Sequence, residues 1–359
     1  MGILVEMNSG LPQFSQVGKF LTIYPRSTTE AVKFAALLHR LTRDLRGPEI
    51  PFDKRYRRNS IVYYRYGAFR SKGKRSEDGT LRDPAGKIHQ DERAAGRAVP
   101  TWLEDPFQKA GARPPRPSGR IGLDYLPFRT LSQRGKGGVY EALDLSVSPA
   151  RRVILKEGRP QGEIDFRGRD GCARVRHEAR VLRRLHRRGL PVPKVMAEFG
   201  QGGKRFLVLE KLSGRPLFSE KRGQPANPSW RRAEKILNQL QPLLARIHAT
   251  GWVWRDCKPS HILIRRGGMH LIDFEGACRI NDTTAMPWSS PHYIRPEKKR
   301  GLARRRGTWE DDYALGVIAF QCLTGEFPSL QARERKRVYR REACAGALRD
   351  RIERLLVGP

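Results

Sequence analysis

The stretch 253-VWRDCKPSHILI-264 contains an aspartate two residues ahead of a Lys-Pro pair, and a short apolar run follows. Ahead of it, the run 231-RRAEKILNQLQPLLARIHATG-251 carries apolar side chains at i, i+4, i+7, i+8 and i+11, namely Ile236, Leu240, Leu243, Leu244 and Ile247. This spacing predicts a helix with one buried stripe. Beyond it, 271-LIDFEG-276 places a second acidic residue, Asp273, a short hairpin after Asp256.

Strand-like and helix-like segments are segregated along the chain. Short runs typical of strands come first, at 137–145, 152–158 and 205–212, and helical patterns follow. This order predicts an α+β fold, with a small strand-rich lobe ahead of a larger helical lobe. We expect this domain to cover residues 119–359, with its two lobes at about 119–212 and 213–359.

A smaller α/β region is predicted in residues 1–70. The run 19-KFLTIYP-25 combines β-branched and aromatic residues and ends at a proline, which predicts a strand. Residues 28–47 have helical spacing and stop at a Gly-Pro pair, which predicts a helix. The run 61-IVYYRYGAF-69 predicts another strand.

The segment 71–118 separates the two predicted regions. It is rich in glycine, proline and charge, which is typical of an interdomain linker. Trp102 and Phe107 are exceptions within it, and they indicate that part of the linker packs on a domain.

The chain is strongly basic. Its 359 residues include 71 Lys and Arg against 37 Asp and Glu, which gives a formal charge of +34. Such a charge favours polyanionic or acidic partners. Because arginine is spread along the whole chain without a dense basic tail, the simplest interpretation is a composition bias of the solvated surface. An acidic peptide partner comes next, and no DNA-reading motif supports nucleic-acid binding.

Cysteine usage and hydropathy indicate a reducing compartment. The five cysteines are odd in number and scattered, without a C-x-x-C pair, which argues against a disulfide framework or a structural zinc site. The start, MGILVEMNSG, does not resemble a signal peptide, and the longest apolar stretch, 313–323, is too short to span a bilayer. We therefore expect a soluble, cytoplasmic protein with no membrane partner.

The segment 253–264 resembles the catalytic loop of protein kinases, H-R-D-L-K-P-x-N, and residues 121–328 resemble a kinase domain with its elements in order. This resemblance implies a bilobal kinase-like fold. It also implies that Asp256 is the catalytic base, that Lys258 steadies the γ-phosphate of ATP, and that Asp273 binds a metal ion.

The same resemblance implies an ATP site in the strand-rich lobe. Lys156 matches the strand lysine that contacts the α- and β-phosphates, and Glu178 matches the carboxylate that pairs with this lysine. The run 132-SQRGKGGVYEA-142 matches the glycine-rich loop only in part, although glycines let the backbone approach phosphates closely. The remaining implied ATP contacts are Gly135, Gly137, Gly138, Val139 and Glu210.

Three further positions follow from the kinase resemblance. The run 289-SSPHYIRPE-297 resembles an activation segment, which puts Ser290 where a side chain touches the catalytic Asp and Lys. Glu297 closes this run and is implied to be structural. Asp312, near the start of 311-DDYALGVIAFQCLTGEFP-328, matches the buried aspartate that braces the catalytic loop.

The chain departs from the kinase pattern at three positions. Trp254 stands where the first His of the loop is expected, and a large aromatic side chain can fill that place. Glu275 replaces the glycine that normally follows Asp-Phe, and His261 stands where an Asn metal ligand is expected. A neutral imidazole binds metals, but Mg²⁺ prefers hard oxygen ligands, so we expect weaker Mg²⁺ binding or a shift toward Mn²⁺. The equal alternative is that Asp273 holds the essential ion while the second metal site stays unfilled.

The pieces ahead of the kinase-like domain resemble class III and class IV lanthipeptide synthetases. The resemblance rests on GKFLTIYP, IVYYRYGAF, a W-x-x-D-P-F segment, and a kinase-like opening with GGVY and LKEGRP. Those enzymes phosphorylate Ser and Thr of a leader-bearing precursor peptide with ATP. They then eliminate phosphate in a lyase-like domain and carry a cyclase domain on the same chain.

By this resemblance, residues 1–70 are a truncated lyase-like region. Lys19 matches the lysine that removes the α-proton, and Arg65 is a candidate for gripping the departing phosphate. The His that serves as acid upstream of this lysine is lacking, as is the Cys/His zinc site of a cyclase. We therefore expect a shortened kinase that works with separate lyase or cyclase proteins, a fragment of a longer synthetase, or a degenerate gene product.

Three functions are compatible with these patterns. The favoured one is an ATP- and Mg²⁺-dependent serine/threonine kinase that modifies a ribosomally made precursor peptide in lanthipeptide-type maturation. The alternative is a pseudokinase or degenerate synthetase remnant that acts as a binding scaffold, which His261, Glu275 and the incomplete glycine loop motivate. A basic nucleic-acid-binding protein on a kinase-like frame is the least favoured.

Overall fold

A computed structural model describes residues 16–68, 79–91, 98–111, 119–165, 167–218, 225, 227–285, 288, 290–295 and 307–358. The chain forms two compact units. The first comprises Met1–Val175 with Phe199–Phe206, and the second comprises Arg176–Glu198 with Leu207–Pro359. Strands predominate among the described elements of the first unit, and helices among those of the second.

The N-terminal part of the first unit contains small helices and short strand pairs. Helix α1, Thr28–Leu41, begins after Ser27, whose hydroxyl accepts a hydrogen bond from the Glu30 amide at 3.2 Å. This cap satisfies one of the amides that the first helical turn leaves without a partner. The other elements are β1 Lys54–Arg55 paired with β2 Tyr63–Tyr64, β3 Thr80–Arg82 paired with β4 Ile88–Gln90, and helix α2, Pro106–Lys109.

The predicted strand at residues 19–25 is wrong, because this segment has no regular secondary structure. Phe20 and Tyr24 are exposed, and no strand within the described residues pairs with the segment. β propensity measures how well a side chain fits a paired, half-buried surface, so a run without a pairing partner does not become a strand. The predicted strand at 61–69 is reduced, among its described residues, to Tyr63–Tyr64.

An aromatic contact joins the N-terminal strands to part of the segment predicted as a linker. Phe107 stacks on the buried Tyr64, with ring centroids 3.9 Å apart. Asp105 accepts hydrogen bonds from Lys54 Nζ at 2.7 Å and from the Tyr64 hydroxyl at 2.8 Å. Residues 98–111 therefore pack against the N-terminal elements through both apolar and charged contacts.

A five-stranded sheet follows in the sequence. Its strands are β5 Tyr125–Arg134, β6 Gly137–Asp144, β7 Arg151–Gly158, β8 Val195–Gln201 and β9 Lys204–Glu210. Their order in the sheet is β5-β6-β7-β9-β8, and β6 runs antiparallel to both of its neighbours. The register of β6 and β7 places Val139 opposite Lys156. Helix α3, Gly171–Arg187, lies between β7 and β8 in the sequence.

The second unit is mainly helical. Its described elements are β10 Arg215–Pro216, α4 Trp230–His248, β11 Trp252–Val253, β12 Ile262–Arg265, β13 Gly268–Leu271, β14 Cys278–Arg279, α5 Trp309–Thr324, α6 Ala332–Arg341 and α7 Gly346–Val357. Strands β10, β12 and β13 form a small sheet, and β11 pairs with β14. This segregation of strands and helices confirms the predicted α+β fold class.

Helix α5 is almost entirely buried and packs against α4 and α7. A helix that is apolar on every side is expected to be surrounded by neighbours. Leu243 of α4 is half-buried, whereas the other four positions of the predicted stripe are buried as expected: Ile236, Leu240, Leu244 and Ile247. Within the described residues, no helix has both the length and the hydropathy that crossing a bilayer requires.

We expect Leu240→Ala to lower the free energy of unfolding by about 2–5 kcal/mol, because it opens a cavity at a fully buried position. The matched control is Leu41→Ala, since Leu41 ends α1 and is 68% exposed. That change should stay within about 0.5 kcal/mol. Urea denaturation followed by circular dichroism measures both, and equal losses would contradict the assignment of the buried stripe.

Candidate active site

The loop between β11 and β12 carries the acidic residue at the centre of the sequence argument. Arg255 has a left-handed backbone conformation, with φ of 68°, which is uncommon for residues other than glycine. Its buried guanidinium pairs with Glu310 at 3.2 Å and donates to the Gly276 carbonyl oxygen at 3.1 Å. These partners hold the strained residue in place. Asp256, the next residue, is 3% exposed.

A buried carboxylate at the start of α5 braces this loop. Asp311 is fully buried and accepts hydrogen bonds from the Trp254 amide at 2.8 Å and the Arg255 amide at 2.7 Å. His248 Nε2 lies 2.8 Å from the same carboxylate. Hydrogen bonds to an ionised acceptor are stronger than those to a neutral one. The backbone just ahead of Asp256 is therefore fixed relative to α5.

The prediction that Asp312 braces the loop is wrong by one residue. Consecutive side chains in a helix point about 100° apart, so only one of two adjacent aspartates can face the loop. Asp311 is the one that does. Asp312 is half-buried, and burial together with the negative charge of Asp311 raises its pKa.

The structure brings Asp256, Lys258 and Ser290 together. The Ser290 hydroxyl donates a hydrogen bond to Asp256 Oδ1 at 2.5 Å, and Lys258 Nζ donates to Ser290 Oγ at 3.1 Å. Lys258 Nζ also lies 3.4 Å from Asp256 Oδ1. A hydroxyl is thus held between a carboxylate that can accept its proton and an ammonium that can offset negative charge.

His261 lies between two acidic residues. Its Nδ1 is 3.1 Å from the Asp256 carbonyl oxygen and 3.3 Å from Asp256 Oδ2, while its Nε2 is 3.5 Å from Asp273 Oδ2. One ligand atom from each of the three residues lies within 4.8 Å of the others. Two carboxylates and an imidazole form a donor set that suits divalent cations, including Mn²⁺. The predicted metal residues Asp273 and His261 are therefore neighbours, together with Asp256.

A second acidic group shares Asp273. Ligand atoms of Glu178, Asp273 and Glu275 also lie within 4.8 Å of one another. Glu178 is buried and accepts a hydrogen bond from the Phe274 amide at 3.1 Å. Asp273 itself has a left-handed φ of 64°. Glu178 thus contacts the segment that carries Asp273, and its pairing with Lys156 stays a prediction.

Trp254 packs in the interior of the fold, as expected for a large aromatic side chain at this position of the loop. It is fully buried and stacks on Phe274, with ring centroids 5.3 Å apart. Its indole N–H donates a hydrogen bond to the Asp273 carbonyl oxygen at 3.0 Å. The aromatic side chain therefore connects the loop to the backbone of a predicted metal ligand.

The glycine hairpin comprises residues 134–138, from the last residue of β5 to the second residue of β6. It is packed closely by other parts of the first unit. Gly137 has φ of 151°, and a Cβ there would lie 1.7 Å from the Glu157 carbonyl oxygen. A Cβ at Gly171 would lie 1.9 Å from the Lys136 carbonyl oxygen. Close backbone packing thus accounts for these glycines, and their contact with phosphates stays a prediction. The predicted glycines of the hairpin are all buried: Gly135, Gly137 and Gly138.

A charge cluster, here called the Glu157 cluster, ties the hairpin to β7 and consists of the buried Glu157 and Arg159 with the half-buried Lys204. Glu157 Oε2 accepts hydrogen bonds from the Gly138 amide at 3.1 Å, the Tyr140 hydroxyl at 2.9 Å and the Arg159 guanidinium at 2.9 Å. Glu157 Oε1 accepts one from Lys204 Nζ at 2.7 Å. One carboxylate therefore joins two strands and the turn between β5 and β6.

The environment of Glu157 keeps this carboxyl group ionised. Burial alone would raise its pKa, but the positive charges of Arg159 and Lys204 and their hydrogen bonds lower the pKa to about 2. Burial and the nearby charge of Glu157 raise the pKa of Tyr140 to about 12, so the phenol stays protonated and remains a donor. The cluster therefore persists across the neutral pH range.

The two lyase-like residues each have an aspartate partner. Lys19 Nζ lies 2.8 Å from Asp53 Oδ2, and Arg65 pairs with Asp91. Both cations that the resemblance assigns to proton removal and phosphate binding are therefore engaged elsewhere.

Two predicted residues do not enter these clusters. Glu210, at the end of β9, is exposed, and its Oε2 accepts a hydrogen bond from the Lys194 amide at 3.3 Å. Its own amide donates to the Lys194 carbonyl oxygen at 2.9 Å. Glu297 lies outside the described residues.

Sequence reasoning missed the residues that hold the site in place. Asp311 was predictable from the motif, because it adjoins Asp312, the residue that the resemblance implied. Glu157 directly follows Lys156, but its cationic partner Lys204 is 47 residues away, and a single sequence gives no sign of that pairing. The Arg255–Glu310 pair is separated by 55 residues and was missed for the same reason.

The acid sensitivity of the fold tests the Glu157 cluster. The carboxyl group has a pKa of about 2 in the folded state against 4.5 as the ordinary value, so its contribution to stability is complete above about pH 5 and declines as pH falls. We expect Glu157→Gln to flatten the loss of unfolding free energy between about pH 5 and 3, by up to about 3 kcal/mol over the full range. Urea titrations at stepped pH measure this slope. Identical slopes for the variant and the parent protein would contradict the assignment.

The choice between the two aspartates of α5 is tested by paired substitutions. Asp311→Ala leaves two buried amides without their acceptor, so we expect it to lower the free energy of unfolding by at least about 2 kcal/mol. Asp312→Ala, the adjacent control, should cost less than half as much. Guanidinium denaturation measures both, and the reverse ranking would restore Asp312 as the brace.

Both parts of the chain are similar to known protein families. The family model described as "RamC, N-terminal domain" matches residues 1–118, and the model described as "Protein kinase domain" matches residues 135–352. The probable SapB synthase of Streptomyces coelicolor is 29% identical over 343 residues, which cover 90% of this chain and 36% of that protein. The chain is thus similar to a synthase along nearly its whole length.

Serine/threonine kinases are similar to the second part of the chain. PknA of Mycobacterium tuberculosis is 31% identical over 59% of this chain and 50% of its own length. PknL of the same organism is 30% identical over 61% of this chain and 54% of its own length. The chain therefore spans between about a third and a half of the curated relatives that it matches. Because the kinase model covers more than half of its residues, the chain belongs to the protein kinase family.

Proposed function

We propose that this protein is an ATP-dependent serine/threonine kinase that phosphorylates Ser and Thr of a ribosomally made precursor peptide, in maturation of the lanthipeptide type. The observation that carries the proposal is the contact of the Ser290 hydroxyl with both Asp256 and Lys258. A hydroxyl bonded to a buried carboxylate, with an ammonium beside it, has the surroundings that phosphoryl transfer to Ser or Thr requires.

Asp256 and Lys258 of the loop and Asp311 of α5 each have a role in this proposal. Asp256 orients the attacking hydroxyl of the substrate and accepts its proton at a carboxylate oxygen. Lys258 Nζ offsets the negative charge of the phosphoryl group during its transfer. Asp311 holds the loop backbone, so that both side chains stay in register with the substrate. Such positioning is the main source of rate acceleration in phosphoryl transfer.

Five of the candidates for ATP binding lie in the first unit, namely Gly135, Gly137, Gly138, Val139 and Lys156. The β6–β7 register places Val139 opposite Lys156, so the glycine hairpin and the predicted phosphate-binding lysine belong to neighbouring strands. An ammonium on a paired strand is held rigidly enough to neutralise phosphate oxygens. The Glu157 cluster restrains both elements, because Glu157 directly follows Lys156 and also bonds the hairpin.

The proposed cofactor is Mg²⁺ or Mn²⁺, held by Asp273 and His261. The short separation of donor atoms in Asp256, His261 and Asp273 fits a divalent cation. When bound, such an ion would neutralise charge on the ATP phosphates. An imidazole nitrogen is a softer ligand than an amide oxygen, and this favours Mn²⁺ relative to Mg²⁺.

The proposed substrate class rests on similarity and charge. The likeness to the probable SapB synthase extends over 90% of the chain, including the RamC-like part. A formal charge of +34 suits an acidic peptide. We place the protein in the cytoplasm, where ATP and newly made peptides are available. Because Lys19 and Arg65 already have aspartate partners, we assign elimination to a separate lyase protein.

One observation favours the alternative of a pseudokinase scaffold. The imidazole of His261 lies within 3.5 Å of a carboxylate oxygen of both Asp256 and Asp273, so it stands between the base and a metal ligand. The imidazole there occupies the space between the two carboxylates that a bound cation would take. In that case the protein would bind its peptide without phosphorylating it.

Phosphate transfer with a co-encoded small peptide, labelled ATP and either Mg²⁺ or Mn²⁺ separates the two functions. We expect transfer to Ser or Thr, and Asp256→Asn should lower its rate by at least about 100-fold, because the substrate hydroxyl loses its proton acceptor. Labelled phosphate on the peptide, resolved by mass spectrometry, is the measurement. Absence of transfer with both metals would favour the scaffold.

His261→Asn tests the metal assignment. We expect this change to raise Mg²⁺-dependent activity and to lower the ratio of Mn²⁺- to Mg²⁺-dependent rates, since an amide oxygen replaces the softer imidazole nitrogen. Initial rates against metal concentration measure the ratio. His270→Asn is the control, because it makes the same change in β13, outside both metal-compatible groups. An unchanged ratio for His261→Asn would show that position 261 does not contact the metal.

A further inference from the structure

The RamC-like part of the chain places one carboxylate on the Glu157 cluster. Glu49 Oε2 lies 2.8 Å from Lys204 Nζ and 3.5 Å from Arg159 Nε. The backbone of Glu49 is itself packed closely, since a Cβ at Gly18 would lie 3.0 Å from its carbonyl oxygen. A residue from the N-terminal region therefore completes a cluster that otherwise belongs to the five-stranded sheet.

The charge balance of the cluster depends on Glu49. Arg159 and Lys204 bring two positive charges, and Glu157 brings one negative charge. Arg159 is almost completely buried, and its Nε makes no hydrogen bond within the described residues. Removing a partner from a buried charge cluster is costly, because the remaining charge is left uncompensated. Without Glu49, the two cations would share one carboxylate.

Arg159 transmits this balance to the glycine hairpin. Its amide donates to the Lys136 carbonyl oxygen at 2.8 Å, and its guanidinium donates to the Arg134 carbonyl oxygen at 3.0 Å. The guanidinium also donates to Gln133 Oε1 at 2.7 Å. Three bonds thus join one side chain and its backbone to the end of β5 and the turn. Any shift of Arg159 moves the hairpin with it.

We propose that Glu49 is a positioning residue for nucleotide binding, which sets the glycine hairpin through Arg159 and Lys204. This rests on the proposed function, in which the hairpin and Lys156 contact ATP. The RamC-like region then contributes to the kinase reaction without touching the nucleotide. Loss of Glu49 should weaken ATP binding and raise the KM for ATP, with little change in kcat, because Asp256 and Lys258 are held by separate contacts.

The experiment uses the full chain and a fluorescent ATP analogue with Mn²⁺. We expect Glu49→Gln to weaken binding by about threefold to tenfold and to leave kcat within about twofold. Glu104→Gln is the matched control, since Glu104 belongs to the same N-terminal region but forms an exposed pair with Lys109. Thermal melting shows that each variant is folded.

A second variant distinguishes positioning from simple destabilisation. Glu49→Gln combined with Lys204→Gln removes one charge of each sign and leaves Arg159 with Glu157 as a balanced pair. We expect this double variant to bind the nucleotide more tightly than Glu49→Gln alone. Hydrogen exchange of amides 134–138 should follow the same order without nucleotide. A merely structural role predicts additive losses and no recovery in either measurement.

Several results would overturn the proposal. Unchanged binding by Glu49→Gln, equal weakening by Glu104→Gln, or no recovery in the double variant would each do so. If the parent protein binds the analogue but transfers no phosphate, only the proposed function is overturned. The binding comparison between the variants then still decides the role of Glu49. If the parent protein does not bind the analogue with Mn²⁺, both proposals are overturned, and hydrogen exchange reports only whether Glu49 braces the hairpin.

Discussion

The candidate catalytic loop depends on the hydrogen bonds that buried Asp311 accepts from the amides of Trp254 and Arg255. These bonds precede Asp256 by one or two residues, so they set the direction in which the chain delivers the base. Asp311 is itself placed by α5, a helix that is buried on nearly every side. The packing of an apolar helix thus determines the geometry of a polar loop, which explains why a left-handed Arg255 is tolerated there.

A buried carboxylate also holds the backbone in place in the first unit. Glu157, like Asp311, is a buried carboxylate that accepts a hydrogen bond from a backbone amide, in this case that of Gly138 at the start of β6. Arginine and lysine side chains supply the compensating charge, so some of the basic residues are structural. The basic residues are therefore not confined to the solvated surface, although the even distribution of arginine along the sequence predicted a surface bias. Arg159 and Arg255 are both buried in ion pairs.

The sequence predicted features that depend on local pattern and failed at those that depend on distant pairing. Helical periodicity identified the buried stripe of α4, and the loop motif brought Asp256 together with Lys258 and Ser290. The run 19–25 has high β propensity but no pairing partner among the described strands, so propensity misled. The contacts of Glu157 join residues far apart in the chain, and no local sequence pattern predicts them.

We propose that the loop keeps Asp256 as the acceptor of the substrate proton and that His261 is a metal ligand where protein kinases carry an Asn. The most direct test is anomalous diffraction from a crystal grown with Mn²⁺ and a non-hydrolysable ATP analogue. We expect a manganese peak within about 2.5 Å of both His261 Nε2 and an Asp273 carboxylate oxygen. A peak that contacts Asp273 alone, with His261 still against Asp256, would contradict it.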